Sequence, residues 1–281
     1  MPFSDLLLHL DSYPDATPPK DIDQAVAFAS AVGGKLTALA LAVTIPLESN
    51  RLSDLLVGLS KMIAEEQTRS DAACQTGLDH FKAAATAAGV FAGAVHKRTD
   101  LYEVANVLAR EARTRDLCLV PLGKRYSGQS ELAQTVIFDS GRPVLVFKGG
   151  GGHFAKGIGK VVIAWDGAAC AARAVAEALP ILAQADSVRV LVVTGEKPSV
   201  HAGSADGLVR HLKAHGIAAA VDEVDAQSRR IGDVMERYVA GQRPDLVVMG
   251  AYGHSRLREF ILGGATEHAL RELKVPTLFS H

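Results

Sequence analysis

The sequence lacks charge of one sign, a long apolar run and a cysteine framework, and each absence excludes a class of protein. Its 30 lysines and arginines balance 31 aspartates and glutamates, so no electrostatic field marks a surface for nucleic acid or an anionic membrane. Apolar strings such as Val188–Thr194 and Leu246–Met249 fall far short of the roughly 20 residues that span a bilayer. The opening Met1-Pro2-Phe3-Ser4-Asp5 has no basic region and no cleavage site after an apolar stretch. A soluble cytoplasmic protein with no nucleic-acid and no membrane partner is therefore expected. Cys74, Cys118 and Cys170 stand apart with no CxxC spacing and read as small buried or half-buried thiols without chemistry. Neither H-E-x-x-H nor G-x-S-x-G occurs. His211 and His215 are one helical turn apart without a third ligand, so they read as exposed helix-face histidines and no metal is expected. The acidic stretch Asp222-Glu223-Asp225 alternates faces along a strand and reads as a solvated edge.

What is present is a repeat. A chain of 281 residues, 48% of them hydrophobic, suits two domains with a core each. Arg115-Asp116-Leu117-Cys118-Leu119-Val120 aligns with Pro244-Asp245-Leu246-Val247-Val248-Met249; both are a charged turn followed by a strand apolar on both faces. Arg142-Pro143-Val144-Leu145-Val146-Phe147 aligns with Val275-Pro276-Thr277-Leu278-Phe279, a proline-led last strand in each half. Asp5–Asp11 and Lys160–Asp166 are both short apolar strands that end in an aspartate. Strands alternate with helical patterns throughout, which implies parallel sheets covered on both faces. The boundaries follow as one domain over 1–148, a flexible glycine-rich connector over 149–159 and a second domain over 160–281. The connector is not a P-loop: Phe154 stands where the first glycine belongs, and Val161 follows Lys160 in place of Ser or Thr. The first half also carries a long helical segment, Arg51–Ala88, whose Leu52, Leu55, Leu56, Leu59 and Ile63 form an apolar stripe. That stripe is expected to lie on its own sheet; the alternative is a helical hairpin packing on the other half or on a second chain.

Ligands of open parallel sheets bind beyond the carboxyl ends of the strands, where strand order reverses. In the second half Gly250 ends the fourth strand, Gly253 follows, and Gly263 comes just before a helix pattern that begins at Ala265. Glycines let a backbone approach phosphate oxygens, and N–H groups at a helix start donate to them.

Gly-x2-Gly-x9-Gly at this position resembles the phosphate loop of the ATP-binding branch of the universal stress proteins, and the resemblance covers the whole second half. It implies an α/β fold of two tandem Rossmann-like or flavodoxin-like domains, of the adenine nucleotide alpha hydrolase kind. Each would be a five-stranded parallel sheet with helices on both faces. It also implies a stress-response regulator whose second half holds ATP or AMP, with magnesium. Residue by residue, the resemblance places Asp166 near ribose and adenine and Val193 at the adenine. Met249, Gly250, Gly253, Gly263, Gly264 and Ala265 fall along the phosphate loop. His254, Arg256 and Arg258 are further candidates for phosphate contacts, with a solvated loop as the alternative.

The sequence departs from the family pattern in two places. Binding members follow the last glycine with Ser or Thr, and this chain has Gly264. Losing a hydrogen bond to a charged group, worth roughly 1.5–3 kcal/mol, would weaken binding about ten- to a hundredfold; Thr266, inside the predicted helix, is a poor substitute. In the first half the loop glycines become Pro121 and Lys124, and only Asp11 remains at the first strand end. That half resembles the non-binding branch and reads as a structural partner. Because single-domain members commonly dimerise through the last strand, the two halves are expected to pair as an internal pseudo-dimer, which leaves room for a homodimer of chains. The turn Asp166-Gly167-Ala168-Ala169 lacks the Ser-Gly-Gly pyrophosphatase loop of related folds. No enzyme is expected, and slow ATP hydrolysis would have Asp166 as its one candidate residue. The alternative function is an interaction scaffold in stress response that binds a protein partner and no nucleotide.

Overall fold

A strand that is apolar at every position must be covered on both faces, and this requirement sets the layers of the molecule. The computed structural model describes residues 3–46, 57–123, 128–149, 154–195, 200–251, 264–272 and 274–281. Leu52, Leu55, Leu56, Lys124, Gly253, His254, Arg256, Arg258 and Gly263 lie outside the described residues. The first half runs β1 (Asp5–Leu10), α1 (Pro19–Val32), β2 (Lys35–Thr44), α2 (Val57–Ala87), β3 (Phe91–Asp100), a 3-10 turn, α3 (Val104–Ala112), β4 (Leu117–Leu122), α4 (Gly128–Asp139) and β5 (Val144–Lys148). The second half runs β6 (Lys160–Ala164), α5 (Ala169–Leu182), β7 (Ser187–Thr194), α6 (Asp206–Ala214), β8 (Ala219–Asp225), α7 (Ile231–Gln242), β9 (Leu246–Gly250), α8 (Gly264–Glu272) and β10 (Thr277–Ser280).

The strands form one sheet in the order β3-β2-β1-β4-β5-β10-β9-β6-β7-β8. Every neighbouring pair is parallel except β5 and β10, which run antiparallel with Leu145 opposite Leu278. Two five-stranded parallel units of identical strand order thus join through their last strands. Successive residues of a strand face opposite layers: Leu6, Leu8 and Leu10 pack with α1, α2, α5 and α6, whereas Leu7 packs with α3, α4, α7 and α8. Both layers continue across the β5–β10 seam, with Leu145 and Leu278 on one side and Val144, Val146 and Phe279 on the other.

Two details differ from the sequence reading. The residues that seat α2 on the sheet are Ser70, Cys74, Leu78, Phe81 and Ala85, spaced three or four apart and all buried. Of the expected stripe, Leu59 is 40% exposed, and its neighbour Met62 is 62% exposed, so the helix overhangs the sheet at its start. The connector is also docked at its second end: Phe154 is buried edge-on against Phe28 at 5.0 Å between ring centroids, and Ile158 is buried as well. Among the described residues, no helix is long and apolar enough to cross a membrane.

Candidate functional site

Because each helix runs back against its strands, α5, α7 and α8 all begin at the carboxyl edge of the second sheet. Strand order reverses there between β6 and β9, which opens a crevice. A cavity of about 580 Å³ fills it, within the range of small-molecule sites. Asp166, Val193, Met249, Gly250, Gly264 and Ala265 all line this cavity, so the structure brings together every sequence-predicted site residue that it describes. Leu191, Val193, Met235 and Met249 make one wall apolar. The first turn of α8 supplies backbone N–H groups without intrahelical partners, a setting that favours an anion.

Two of these residues do more locally than their sequence role suggests. Asp166 Oδ1 accepts a hydrogen bond from Ala168 N–H at 3.0 Å, turning the chain into α5. Gly250 is needed for packing: a Cβ there would lie 2.4 Å from Ala171 N and 2.6 Å from the Cys170 carbonyl carbon. The start of α5 already occupies the space that a side chain at Gly250 would need, so packing alone requires a glycine there. Gly264, by contrast, has no atom of the described residues within 4 Å of its Cβ position.

Sequence reasoning missed Trp165, Cys170, Ile231 and Met235, which also line the cavity, and it set aside Thr266, which is buried in the first turn of α8. A signal was available for Cys170 and Ile231: in alternating α/β order every helix begins at the carboxyl edge, so each helix start is a candidate. Trp165 donates its indole N–H to the Ser204 carbonyl at 3.3 Å, which ties the segment before α6 to the cavity wall.

The acidic stretch on β8 is engaged by neighbours in addition to solvent. Asp222 pairs with Arg189 at 2.5 and 2.6 Å and accepts from the Tyr238 hydroxyl. The Arg189 hydrogen bonds hold the Asp222 carboxyl below the usual range. Burial, followed by the bond to Asp222, pushes Tyr238 up to about 12. His211 and His215 are exposed and stack at 4.8 Å. Among the described residues, no group of three or more His, Cys, Asp or Glu is placed to hold a metal ion.

The corresponding edge of the first half is narrowed by its own chain. Asp11, the counterpart of Asp166, meets His9 Nε2 at 2.9 Å and accepts from Gln129 Nε2 at 2.7 Å. Its own N–H donates to Thr17 Oγ1 at 2.7 Å. Gln129 also accepts from Gly123 N–H at 2.5 Å, and only about 230 Å³ of cavity remains. Beside it, Asp21 is 2% exposed and its Oδ1 has no hydrogen-bond partner among the described residues. Burial raises its pKa, partly offset by Lys20. A carboxyl raised by folding contributes stability that is complete below the unfolded pKa and lost as pH rises through the folded value. Asp21→Asn should therefore gain stability relative to the parent as pH rises above the ordinary carboxylate value of about 4. Urea unfolding over a series of pH values checks this, and a constant difference would contradict it.

This arrangement of ten strands, with a large cavity at one switch point and a smaller one at the other, defines a tandem α/β protein of the doubly wound class. Residues 157–281 match the model of the Universal stress protein family, and this second half is similar to that family. A curated universal stress protein of Synechocystis sp. is 36% identical over 56 residues, a stretch that covers 20% of this chain and 20% of that protein. A universal stress protein from Archaeoglobus fulgidus superposes over 99% of this chain and 96% of its own, with a TM-score of 0.72 at 15% identity. A functionally unknown protein from Pseudomonas aeruginosa PAO1 superposes over 99% and 92%, with a TM-score of 0.57 at 14% identity. At these identities the structural likeness is one of fold, and it extends across both halves.

Proposed function

We propose that the second half binds an adenine nucleotide, ATP or AMP, with magnesium accompanying the triphosphate, and that the chain regulates a stress response by binding and not by turnover. The supporting observation is the 580 Å³ cavity, in which an apolar wall suited to a base faces a helix start suited to phosphate. Asp166 lines the same cavity, and the ribose is assigned to it.

The cavity contains two native probes. Trp165 is the only tryptophan in the chain, and Cys170 is partly exposed whereas Cys74 and Cys118 are buried. Titration with Mg-ATP or AMP should change the Trp165 fluorescence, and saturating nucleotide should slow alkylation of Cys170 by about tenfold or more, as for a group covered by ligand. If millimolar nucleotide changes neither, this reading fails. The scaffold reading draws on a separate observation, the exposed Leu59 and Met62 at the overhanging start of α2, which would meet a protein partner. A chain that binds no nucleotide, but binds a partner through α2, would favour it.

A further inference from the structure

Gly250 and Ala251, where the chain leaves β9 at the cavity, are held from several sides. The first turn of α5 presses on Gly250. Ala251 N–H donates to the Ser280 carbonyl at 2.8 Å, and the Ala251 carbonyl meets His281 Nδ1 at 3.1 Å. A carbonyl only accepts, so Nδ1 carries the hydrogen. The His281 ring in turn packs edge-on against Phe138, with centroids 4.6 Å apart. Phe138 belongs to the last turn of α4, in the other half of the molecule. Nearby, Arg173 on α5 donates to the Gly141 carbonyl at 3.3 Å, in the turn between α4 and β5. Two contacts from one corner of the first half thus converge on the two elements that frame Gly250.

This convergence follows from the seam. Because β5 and β10 are antiparallel, the carboxyl edge of the second sheet lies beside the amino edge of the first, where α4 ends. We infer that Phe138 and His281 are positioning residues for the second half's site. The first half, which has narrowed its own cavity, holds the root of its neighbour's glycine segment in place through the Phe138–His281–Ala251 contact. Neither side chain lines the cavity, so both act through the backbone of Ala251. This inference rests on the nucleotide reading for its consequence, but the contact itself can be measured without ligand.

Three variants separate the hydrogen bond from the ring contact. His281→Phe keeps a ring against Phe138 and removes the donor, His281→Asn keeps a donor near the Nδ1 position, and Phe138→Ala removes the buttress. In the ligand-free protein, Ala251 amide exchange should quicken about fivefold in His281→Phe and Phe138→Ala, a change typical of losing one neutral hydrogen bond. His281→Asn should recover most of that loss. Nucleotide affinity should follow the same order, and Phe138→Ala should add nothing in the His281→Phe background, since both break one route. Should Phe138→Ala not fold, Phe138→Leu serves the same comparison. If the parent binds nucleotide while these variants keep its exchange and affinity within about twofold, a difference too small for a lost hydrogen bond, the inference is overturned and the nucleotide reading stands. If the parent binds none, that reading falls, and unchanged Ala251 exchange in His281→Phe would still overturn this one.

Discussion

Gly264→Ser should tighten nucleotide binding about ten- to a hundredfold, the equivalent of one hydrogen bond to a charged group. Among the described residues no atom lies within 4 Å of the Cβ position, and the backbone there is outside the left-handed region. Gly264 is the first residue of α8 and lines the cavity, so a hydroxyl there would sit among unpaired N–H groups and face an anion. Serine at a helix start also stabilises the helix, which makes Gly264→Ala the necessary control. Alanine fills the same space without a hydroxyl and should leave affinity within about twofold of the parent, since it adds no hydrogen bond. Calorimetric titration of the three proteins with Mg-ATP provides the comparison. If serine binds no more tightly than alanine, the phosphates do not lie at the start of α8.

Gly250→Ala should act in the opposite sense and on two properties at once. Its Cβ would meet the backbone of Cys170 and Ala171 at 2.4–2.6 Å, and a helix backbone cannot rotate away as a side chain can. Overpacking of this kind costs about 1–3 kcal/mol, and the upper end is expected because α5 must move as a unit. The same movement would carry Asp166, which accepts from the Ala168 N–H just before α5, away from its place in the cavity. Stability in urea and nucleotide affinity should fall together, affinity by about tenfold or more, as expected when a positioned group is displaced. A stable variant with normal affinity would show that the close approach of α5 is dispensable.

These two glycines show where sequence reasoning reaches and where it stops. Continuous apolar strands such as Leu117–Leu122, paired with their counterparts in the second half, made the tandem α/β plan legible, because burial on both faces leaves a mark in every residue. The position of the cavity was legible for the same reason: strand alternation fixes which edge faces the ligand. The packing role of Gly250 was not, because a missing side chain says only that space is needed, and the start of α5 that presses on it lies 80 positions earlier in the chain, at Cys170. The α2 stripe misled for a related reason. Helical periodicity identifies an apolar face, but Leu59 and Met62 show that the face can extend past the sheet it was expected to cover. Contacts such as Phe138 with His281 leave no local pattern, since both residues are ordinary for their elements and meet only because of the seam.

The antiparallel seam between β5 and β10 also removes a constraint that a pair of identical domains cannot escape. In such a pair every substitution appears twice, so a change that closes one cavity closes both. Here the paired units are encoded separately and held together at every dilution, because their association is unimolecular. One unit was therefore free to narrow its pocket with Thr17 and Gln129 while the other kept a larger one. An asymmetric pair of fixed composition follows, with one large cavity per ten strands whatever the protein concentration.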